Sequence, residues 1–259
     1  MTAQARTVEA RSGARWFAQG WRLFRVSPLM WIVLVFSYLA LMRIVSIIPF
    51  VGVAAATVLI PAFSVGFMEA SRCSGGGHAP GFGQMFSGFQ THLGTQLQLG
   101  AIYLGCLVAL MLATRMADHG ALASWMFAGQ RPTDKVLQSD AFSMALLIAG
   151  VLYVPVMMAY WFAPVLAAWH GLGAGKALFF SFFAVLINWR AFLVYGAVAI
   201  LVSVMIPNLV LSVLSLAVGH SVPLSRLLLL MLMVVLLTLI ASFYASFYAS
   251  YRDVFASRE

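Results

Sequence analysis

The sequence has very little charge, and this shortage excludes most classes of soluble protein. Only 8% of its 259 residues are charged, whereas 63% are hydrophobic and the mean hydropathy is +0.98. Soluble domains carry roughly 25% charged residues, and a chain of this length cannot hide so much apolar surface from water in one core. Strand-like alternation over about 10 residues, which marks an outer-membrane barrel, is also missing. The composition therefore predicts helices in a lipid bilayer.

Residues that could carry catalysis or hold a metal ion are scarce. The two cysteines, Cys73 and Cys106, give no disulfide framework, and the five histidines show no ligand spacing to another His, Cys, Asp or Glu. The sequence has no phosphate-binding loop, no nucleophile elbow and no carboxylate pair inside an apolar segment. A basic patch interleaved with polar surface, which nucleic-acid binding requires, is missing too. We therefore expect no enzyme activity, no cofactor, no metal site and no nucleic-acid partner.

Six apolar segments are long enough to cross a bilayer, which takes about 20 residues each. They are predicted at residues 28–48, 52–70, 95–115, 141–169, 190–217 and 224–251. The predicted fold is an all-α polytopic membrane bundle with six transmembrane helices. We divide the chain into a cytoplasmic N-terminal segment at 1–27, a transmembrane domain at 28–251 and a cytoplasmic tail at 252–259. Tight turns are expected at Pro49–Gly52 and at His220–Pro223.

Three further segments, at residues 14–26, 82–92 and 176–189, combine aromatic side chains with basic or polar ones. Such segments are typical of amphipathic helices that lie at the membrane interface. Each precedes two of the spanning segments, so the same unit occurs three times. This order is typical of a three-fold hairpin repeat, although shared hydropathy alone would produce a similar pattern.

The distribution of positive charge predicts the orientation. With six spans, ten Lys and Arg residues fall on the side of the N-terminus and five on the opposite side. Because positive charge stays on the cytoplasmic side, we predict a bacterial inner-membrane protein with both termini in the cytoplasm. The first 28 residues hold five arginines before any long apolar run and no small-residue cleavage site, so we expect no cleaved signal peptide.

Polar residues occur at the predicted cytoplasmic ends of the spanning helices. The candidate cluster consists of Glu69, Arg72, His170, Arg252 and Asp253. Glu69 and Arg72 are three residues apart and can pair on one helix face. A structural network and a contact with lipid headgroups or ions are both compatible with this pattern.

The sixth spanning segment carries a ridge of small residues at four-residue spacing. Its members are Ala241, Ala245 and Ala249, beside Ser242, Ser246 and Ser250. A small-residue ridge allows two helices to approach closely. It predicts either packing within the fold or an interface with another membrane protein, including a second copy of this chain.

Four motifs resemble those of a known group of membrane proteins. They are WRLFRVSPLMWI (21–32), IIPFVG (47–52), YWFAPVLAAWHGL (160–172) and YASYRDVF (248–255). Together they make nearly the whole chain similar to an uncharacterised family of proteobacterial six-span inner-membrane proteins. More loosely, the chain resembles the membrane domain found beside some glycerophosphodiester phosphodiesterases. No phosphodiesterase domain accompanies it here, so the resemblance implies the architecture and not that activity.

Two classes of function are compatible with these features. The shortage of charge at mid-depth and the interfacial segments favour a non-enzymatic protein that organises the membrane, interacts with membrane lipids or acts as a scaffold. The alternative is a transporter or channel for a small solute, which is favoured by the proline-interrupted helices and the repeat.

Overall fold

The protein is described by a computed structural model that covers residues 5–48, 51–218 and 222–255. Within these ranges every regular element is a helix, and six helices are long and apolar enough to cross a membrane. The predicted all-α bundle with six spanning helices is therefore confirmed. The predicted turns at Pro49–Gly52 and His220–Pro223 include residues that lie outside the described ranges.

The first half of the chain contains three of the spanning helices and several short ones. Its elements are α1 (Ser12–Phe24), α2 (Pro28–Val45), α3 (Val51–Gly75), a 3-10 turn (Phe82–Phe86), α4 (Ser87–Gln90), α5 (Leu93–Asp118), α6 (Ala121–Ala128) and α7 (Asp134–Leu137). The second half contains α8 (Asp140–Tyr160), α9 (Ala163–His170), α10 (Ala174–Ile187), α11 (Trp189–Ile200), α12 (Ile206–Val218) and α13 (Val222–Phe255). Because α13 continues to Phe255, the boundary expected after Tyr251 falls inside a helix.

The fourth predicted span is broken between α8 and α9. The break lies just before Pro164, which occupies the first turn of α9, where proline is tolerated. Ser181 of α10 bridges it, because its Oγ accepts a hydrogen bond from the Phe162 backbone N–H and donates one to the Met158 carbonyl, both at 2.9 Å. One backbone N–H and one carbonyl at the break are thus bonded to a side chain inside the protein, as an apolar surrounding requires.

The fifth predicted span contains a π-helical turn at Leu201–Met205, between α11 and α12. Pro207 explains it, because proline lacks the N–H that would bond to the carbonyl of Ser203. The side chain of Asn208 donates a hydrogen bond of 2.8 Å to the next carbonyl, that of Val204. The helix therefore widens locally and continues without leaving Val204 unsatisfied.

The chain forms two compact units, and each collects segments that are distant in sequence. The first unit comprises the described residues of Met1–Ala40, Val65–Ser87 and Ala184–Glu259, and the second comprises Leu41–Ser64 and Gly88–Phe183. These boundaries fall inside α2, α3, α4 and α10. The linear division into a terminal segment, a membrane domain and a tail stays a prediction.

Aromatic packing and one buried hydrogen bond fill the first unit between α2, α3 and α13. The rings of Phe67 and Tyr244 stack with centroids 4.1 Å apart, and Tyr38 meets Phe67 edge-on at 5.3 Å. The buried indole of Trp31 donates to Ser74 Oγ at 3.1 Å. Aromatic side chains bury much apolar area, and the polar group on Trp or Tyr can still form a hydrogen bond. This core is therefore densely packed, and the buried Trp31 N–H has an acceptor.

The second unit is held by close helix contacts and by side chains that bond to backbone carbonyls. The α-carbon of Gly100 faces the Val58 carbonyl so closely that a Cβ there would lie 2.0 Å from its oxygen. Gln96, which is fully buried, donates to the Pro164 carbonyl at 3.0 Å, and the Tyr160 hydroxyl donates to the Leu99 carbonyl at 2.8 Å. These bonds tie α5 to α8 and α9.

Candidate functional site

The first helix, α1, is bound to α11 and α13 at backbone distance. A Cβ added to Gly13 would lie 2.1 Å from the Ala191 carbonyl oxygen, and one added to Gly20 would lie 2.3 Å from the Ser242 carbonyl oxygen. Only glycine permits this approach, because it has no side chain to separate the helices. The apolar face of the predicted interfacial segment at 14–26 therefore lies against protein.

The small-residue ridge of α13 forms part of the surface on which α1 packs. All six of its alanines and serines are between 0% and 2% exposed, and Ser246 lies beneath Gly20 while its hydroxyl pairs with that of Tyr195 at 2.6 Å. The predicted packing role within the fold is thus confirmed. An interface with another protein through helix α13 stays a prediction, and this face of the helix is already occupied.

The N-terminal residues before α1 are held against the end of α13 and the start of α11. The buried side chain of Asn188 accepts a hydrogen bond from the Val8 N–H at 2.7 Å and donates one to the Arg6 carbonyl at 3.0 Å. The Arg6 N–H donates to the Val254 carbonyl at 3.0 Å. The amide side chain of Asn188 therefore binds the N–H of Val8 and the carbonyl of Arg6, which fixes the entry of the chain into α1.

Four arginines form a row along the face of α1 that is opposite to its buried face. Arg11, Arg15, Arg22 and Arg25 are all exposed. The helix turns about 100° per residue, so the spacing of four, seven and three residues keeps these side chains within one narrow arc. The residues that cap α1 at either end keep a right-handed helical backbone. At a rise of about 1.5 Å per residue, the arginine row is about 21 Å long.

The buried face of α1 shows the complementary pattern. Its fully or nearly fully buried members are Ser12, Gly13, Trp16, Gly20 and Phe24. They follow one another at intervals of one, three, four and four residues, so they occupy the arc facing α11 and α13. The division between the two faces is therefore sharp, with protein on one side and four guanidinium groups on the other.

Glu9 lowers the net positive charge at the N-terminal end of the arginine row. Its carboxylate pairs with the Arg11 guanidinium and lies 3.7 Å from that of Arg15. The hydrogen bond from Arg11, together with the attraction between the two charges, holds the pKa of Glu9 below its usual range. Glu9 therefore stays ionised at neutral pH and cancels one positive charge of the row.

Four of the five polar residues predicted at the helix ends lie in the first unit, and a cluster of all five stays a prediction. Glu69 and Arg72 make the predicted i,i+3 ion pair at 2.7 Å, which is confirmed. Arg252 instead places its guanidinium over the Tyr248 ring, with its central carbon 5.7 Å from the ring centroid. Asp253 accepts a hydrogen bond from Trp16, and His170 ends α9 in the second unit.

A cleft of about 250 Å³ lies between α1 and α13. Its lining consists of Gln19, Arg22 and Leu23 from α1 and Tyr248, Ala249 and Arg252 from α13. Gly75, at the end of α3, borders the same side chains, since a Cβ there would lie 3.3 Å from the Tyr248 ring and 3.9 Å from an Arg252 nitrogen. Two arginines from different helices therefore line one small space next to an amide and a phenol.

Comparison with known proteins places the chain in a family. A probable inner membrane protein of Burkholderia thailandensis is 40% identical over 195 residues, which cover 73% of this chain and 72% of the relative. The chain belongs to the family of this inner membrane protein. Inner-membrane residence agrees with the six spanning helices. No protein-family model and no solved structure match this member of the family, and its looser resemblance to the membrane domain of glycerophosphodiester phosphodiesterases stays a prediction.

In this inner membrane protein, the described residues of the arginine row and the cleft offer positive charge and hydrogen-bond donors. Within residues 5–48, 51–218 and 222–255, no three His, Cys, Asp or Glu side chains stand close enough to share a metal ion. Guanidinium groups bind phosphate and carboxylate oxygens through paired hydrogen bonds. The arginine row and the cleft are therefore suited to binding anions.

Proposed function

We propose that this protein is a non-enzymatic inner-membrane protein that gathers acidic phospholipids around its cytoplasmic end. The observation that carries the proposal is the two-sided build of α1, which is packed on α11 and α13 and presents the arginine row outward. A guanidinium attracts an acidic membrane surface by about 1 kcal/mol. Neighbouring arginines along the row are about 5–6 Å apart at the closest spacings, well within the ~8 Å screening length at physiological salt, so they act together on lipid phosphates.

The length of α13 supports a position of the arginine row at the depth of the lipid headgroups. Large apolar side chains of α13 are exposed between Leu227 and Leu236, whereas the stretch from Leu237 to Val254 is largely packed against protein. About 20 residues cross the hydrocarbon core, so a helix that enters near Arg226 leaves it near Ser246. The part of α13 that α1 covers begins at Ser242, just before this exit point, and continues at headgroup depth to Asp253. We propose that this side is cytoplasmic.

The third interfacial segment offers a further contact with lipid. In α10 the side chains of Phe179, Phe180 and Phe183 are 59%, 41% and 44% exposed. Aromatic rings favour the interfacial depth. This segment can therefore insert apolar area among lipids, whereas the buried apolar face of α1 cannot. The proposed organisation of lipid combines the aromatic face of α10 with the arginine row of α1.

The proposal is tested by the lipids that accompany the purified protein. In mild detergent, the wild type should carry more acidic phospholipid than the membrane from which it was extracted. Replacing Arg11, Arg15 and Arg25 by Gln should remove that enrichment. The matched control replaces Arg115, Arg131 and Lys135, three cations on the predicted opposite side, and should keep it. Equal enrichment in all three proteins would show that the arginine row has no such role.

Transport of a small solute is the second candidate, and the broken helices favour it. Both the gap between α8 and α9 and the π-helical turn at Leu201–Met205 interrupt spanning segments, as in many transporters. A fully buried Gln96 adds an amide to the second unit. Liposomes containing the purified protein would show a solute flux that Gln96→Leu abolishes if this second function holds.

A further inference from the structure

We propose that the cleft between α1 and α13 binds the phosphate of one acidic phospholipid headgroup in a fixed position. This inference rests on the lipid interaction proposed above and deepens it from a surface attraction to a defined site. The cleft differs from the arginine row in its geometry, because its two cations, Arg22 and Arg252, come from helices that meet across it.

The two guanidinium groups of the cleft are available to an anion. Among the described residues, the ion pairs involve other arginines, and neither Arg22 nor Arg252 has a carboxylate within 4.0 Å. The carboxylate nearest in sequence, that of Asp253, is engaged by the indole of Trp16 at 2.7 Å. Two cations that line one cleft without a carboxylate partner repel each other, so a bound phosphate would stabilise the arrangement.

The remaining lining suits the ester end of a phospholipid. Gln19 supplies amide hydrogen-bonding groups, Ala249 is small, and Leu23 adds an apolar wall. The absence of a side chain at Gly75 leaves room beside Tyr248 and the Arg252 guanidinium. A volume of about 250 Å³ is of the size of a headgroup and not of a whole lipid, so the acyl chains would leave the cleft toward the bilayer.

The depth of the cleft favours a lipid over a dissolved anion. Tyr248 and Arg252 follow the expected exit point of α13 from the hydrocarbon by about two and six residues, or about 3–9 Å along the helix axis. Phospholipid phosphates occupy this depth on either side of the hydrocarbon core. Arg is also well matched to phosphate, because its planar fork donates two parallel hydrogen bonds.

Native mass spectrometry of the full-length protein tests the site. The wild type should retain one acidic phospholipid after the detergent is removed, while the variant carrying Arg22→Gln and Arg252→Gln should lose at least nine-tenths of it. The matched variant carrying Arg11→Gln, Arg15→Gln and Arg25→Gln keeps the cleft and should retain that one lipid, although it loses the general enrichment. Retention of the lipid by the cleft variant would overturn the site while leaving the arginine row as a lipid-binding surface. Retention in the cleft variant, together with undiminished enrichment in the arginine-row variant, would overturn both proposals.

Two further measurements distinguish a phospholipid from a dissolved anion in the cleft and test the geometry of the site. Dihexanoyl phosphatidylglycerol should raise the Tm of the delipidated wild type and leave that of the cleft variant unchanged, while dihexanoyl phosphatidylcholine should raise neither. An equal rise in Tm with inorganic phosphate would show that the cleft binds a dissolved anion and would overturn the assignment to a phospholipid. If the double Gln variant does not fold, Arg252→Lys serves instead, because it keeps the charge and removes the fork. We expect it to weaken the Tm response at least threefold, and an unchanged response would contradict the proposed geometry.

Discussion

The indole nitrogen of Trp16 donates a hydrogen bond to Asp253 Oδ2 at 2.7 Å and so joins the first and last helices of the chain. Trp16 is fully buried, and its ring also meets that of Phe192 at 5.1 Å. The backbone carbonyl of Asp253 accepts a further hydrogen bond from the side chain of Arg6. One residue at the end of α13 thus holds both α1 and the segment that precedes it.

Replacing Trp16 by Phe should destabilise the protein, because the Asp253 carboxylate loses a donor while most of the ring packing remains. We expect a loss of about 1–3 kcal/mol in the free energy of unfolding. Thermal unfolding in detergent measures it, with Trp125→Phe as the control, since Trp125 is 41% exposed. Equal Tm values for the two variants would show that the bond between α1 and α13 adds nothing.

Gly20→Ala should separate α1 from α13, because the new Cβ would meet the Ser242 carbonyl oxygen at 2.3 Å. Overpacking of this kind lowers the free energy of unfolding by about 1–3 kcal/mol. The clash involves backbone atoms, which cannot avoid it by changing rotamer. Gly150→Ala in α8 is the matched control, since no atom lies within 4 Å of the added Cβ. The Tm should fall for Gly20→Ala and stay level or rise slightly for Gly150→Ala. A similar Tm for both variants would contradict the close contact.

Glu9→Gln should strengthen the attraction of the protein for acidic lipids, because it removes the one carboxylate that pairs with Arg11. The pKa of Glu9 is lowered by Arg11, so Glu9 stays ionised as the pH falls from 8 to 5 and is protonated only below its depressed pKa. The difference between the variant and the wild type should therefore be the same at pH 8 and pH 5. Retained acidic lipid measures it, and a difference that vanishes at pH 5 would show that Glu9 is already protonated there.

Cys73, near the end of α3, should lie on the cytoplasmic side. In a Cys106→Ala variant it is the single cysteine, and it is partly exposed. A membrane-impermeant maleimide should leave it unlabelled in intact spheroplasts and label it in inverted vesicles. Labelling in the spheroplasts would reverse the orientation and move the arginine row to the periplasm.

Hydropathy was sufficient to predict the spanning helices but not their interruptions. The two prolines in the fourth span were visible in the sequence, yet only Pro164 coincides with a break, while Pro155 remains inside α8. What decides between these outcomes is whether a neighbour satisfies the freed groups. Ser181 does this at the break, and it comes from a helix that the sequence alone could not place there.

The sequence predicted that α1 is amphipathic but could not say what covers its apolar face. Lipid and protein both favour the same hydrophobic pattern. A signal was nevertheless present, because Gly13 and Gly20 are seven residues apart on that face and match the small-residue ridge of α13. Glycine on an apolar helix face indicates a close protein neighbour more than a lipid surface. The cleft could not be predicted in this way, since Arg22 and Arg252 are distant in sequence and meet only in the fold.

The three interfacial segments share a mode of contact that supports the repeat. The first packs on α13, the second helix of the third hairpin. The second places Met85 against Gly66 of α3, and the third places Ser181 against Phe162 at the start of α9. Each segment therefore packs on the second spanning helix of a hairpin other than the one that it precedes in sequence. Shared hydropathy explains the order of the elements, but it does not by itself explain this recurrence of contacts.

Spin-labelled lipids in reconstituted bilayers measure directly whether the arginine row selects acidic lipids. The fraction of each labelled lipid that is immobilised at the protein gives its relative association constant. The wild type should prefer phosphatidylglycerol over phosphatidylcholine several-fold, since each arginine near the surface contributes about 1 kcal/mol. In the variant with Gln at positions 11, 15 and 25 the ratio should fall toward one, and high salt should lower the wild-type ratio as well. An equal ratio in both proteins, or a wild-type ratio of one, would contradict the claim.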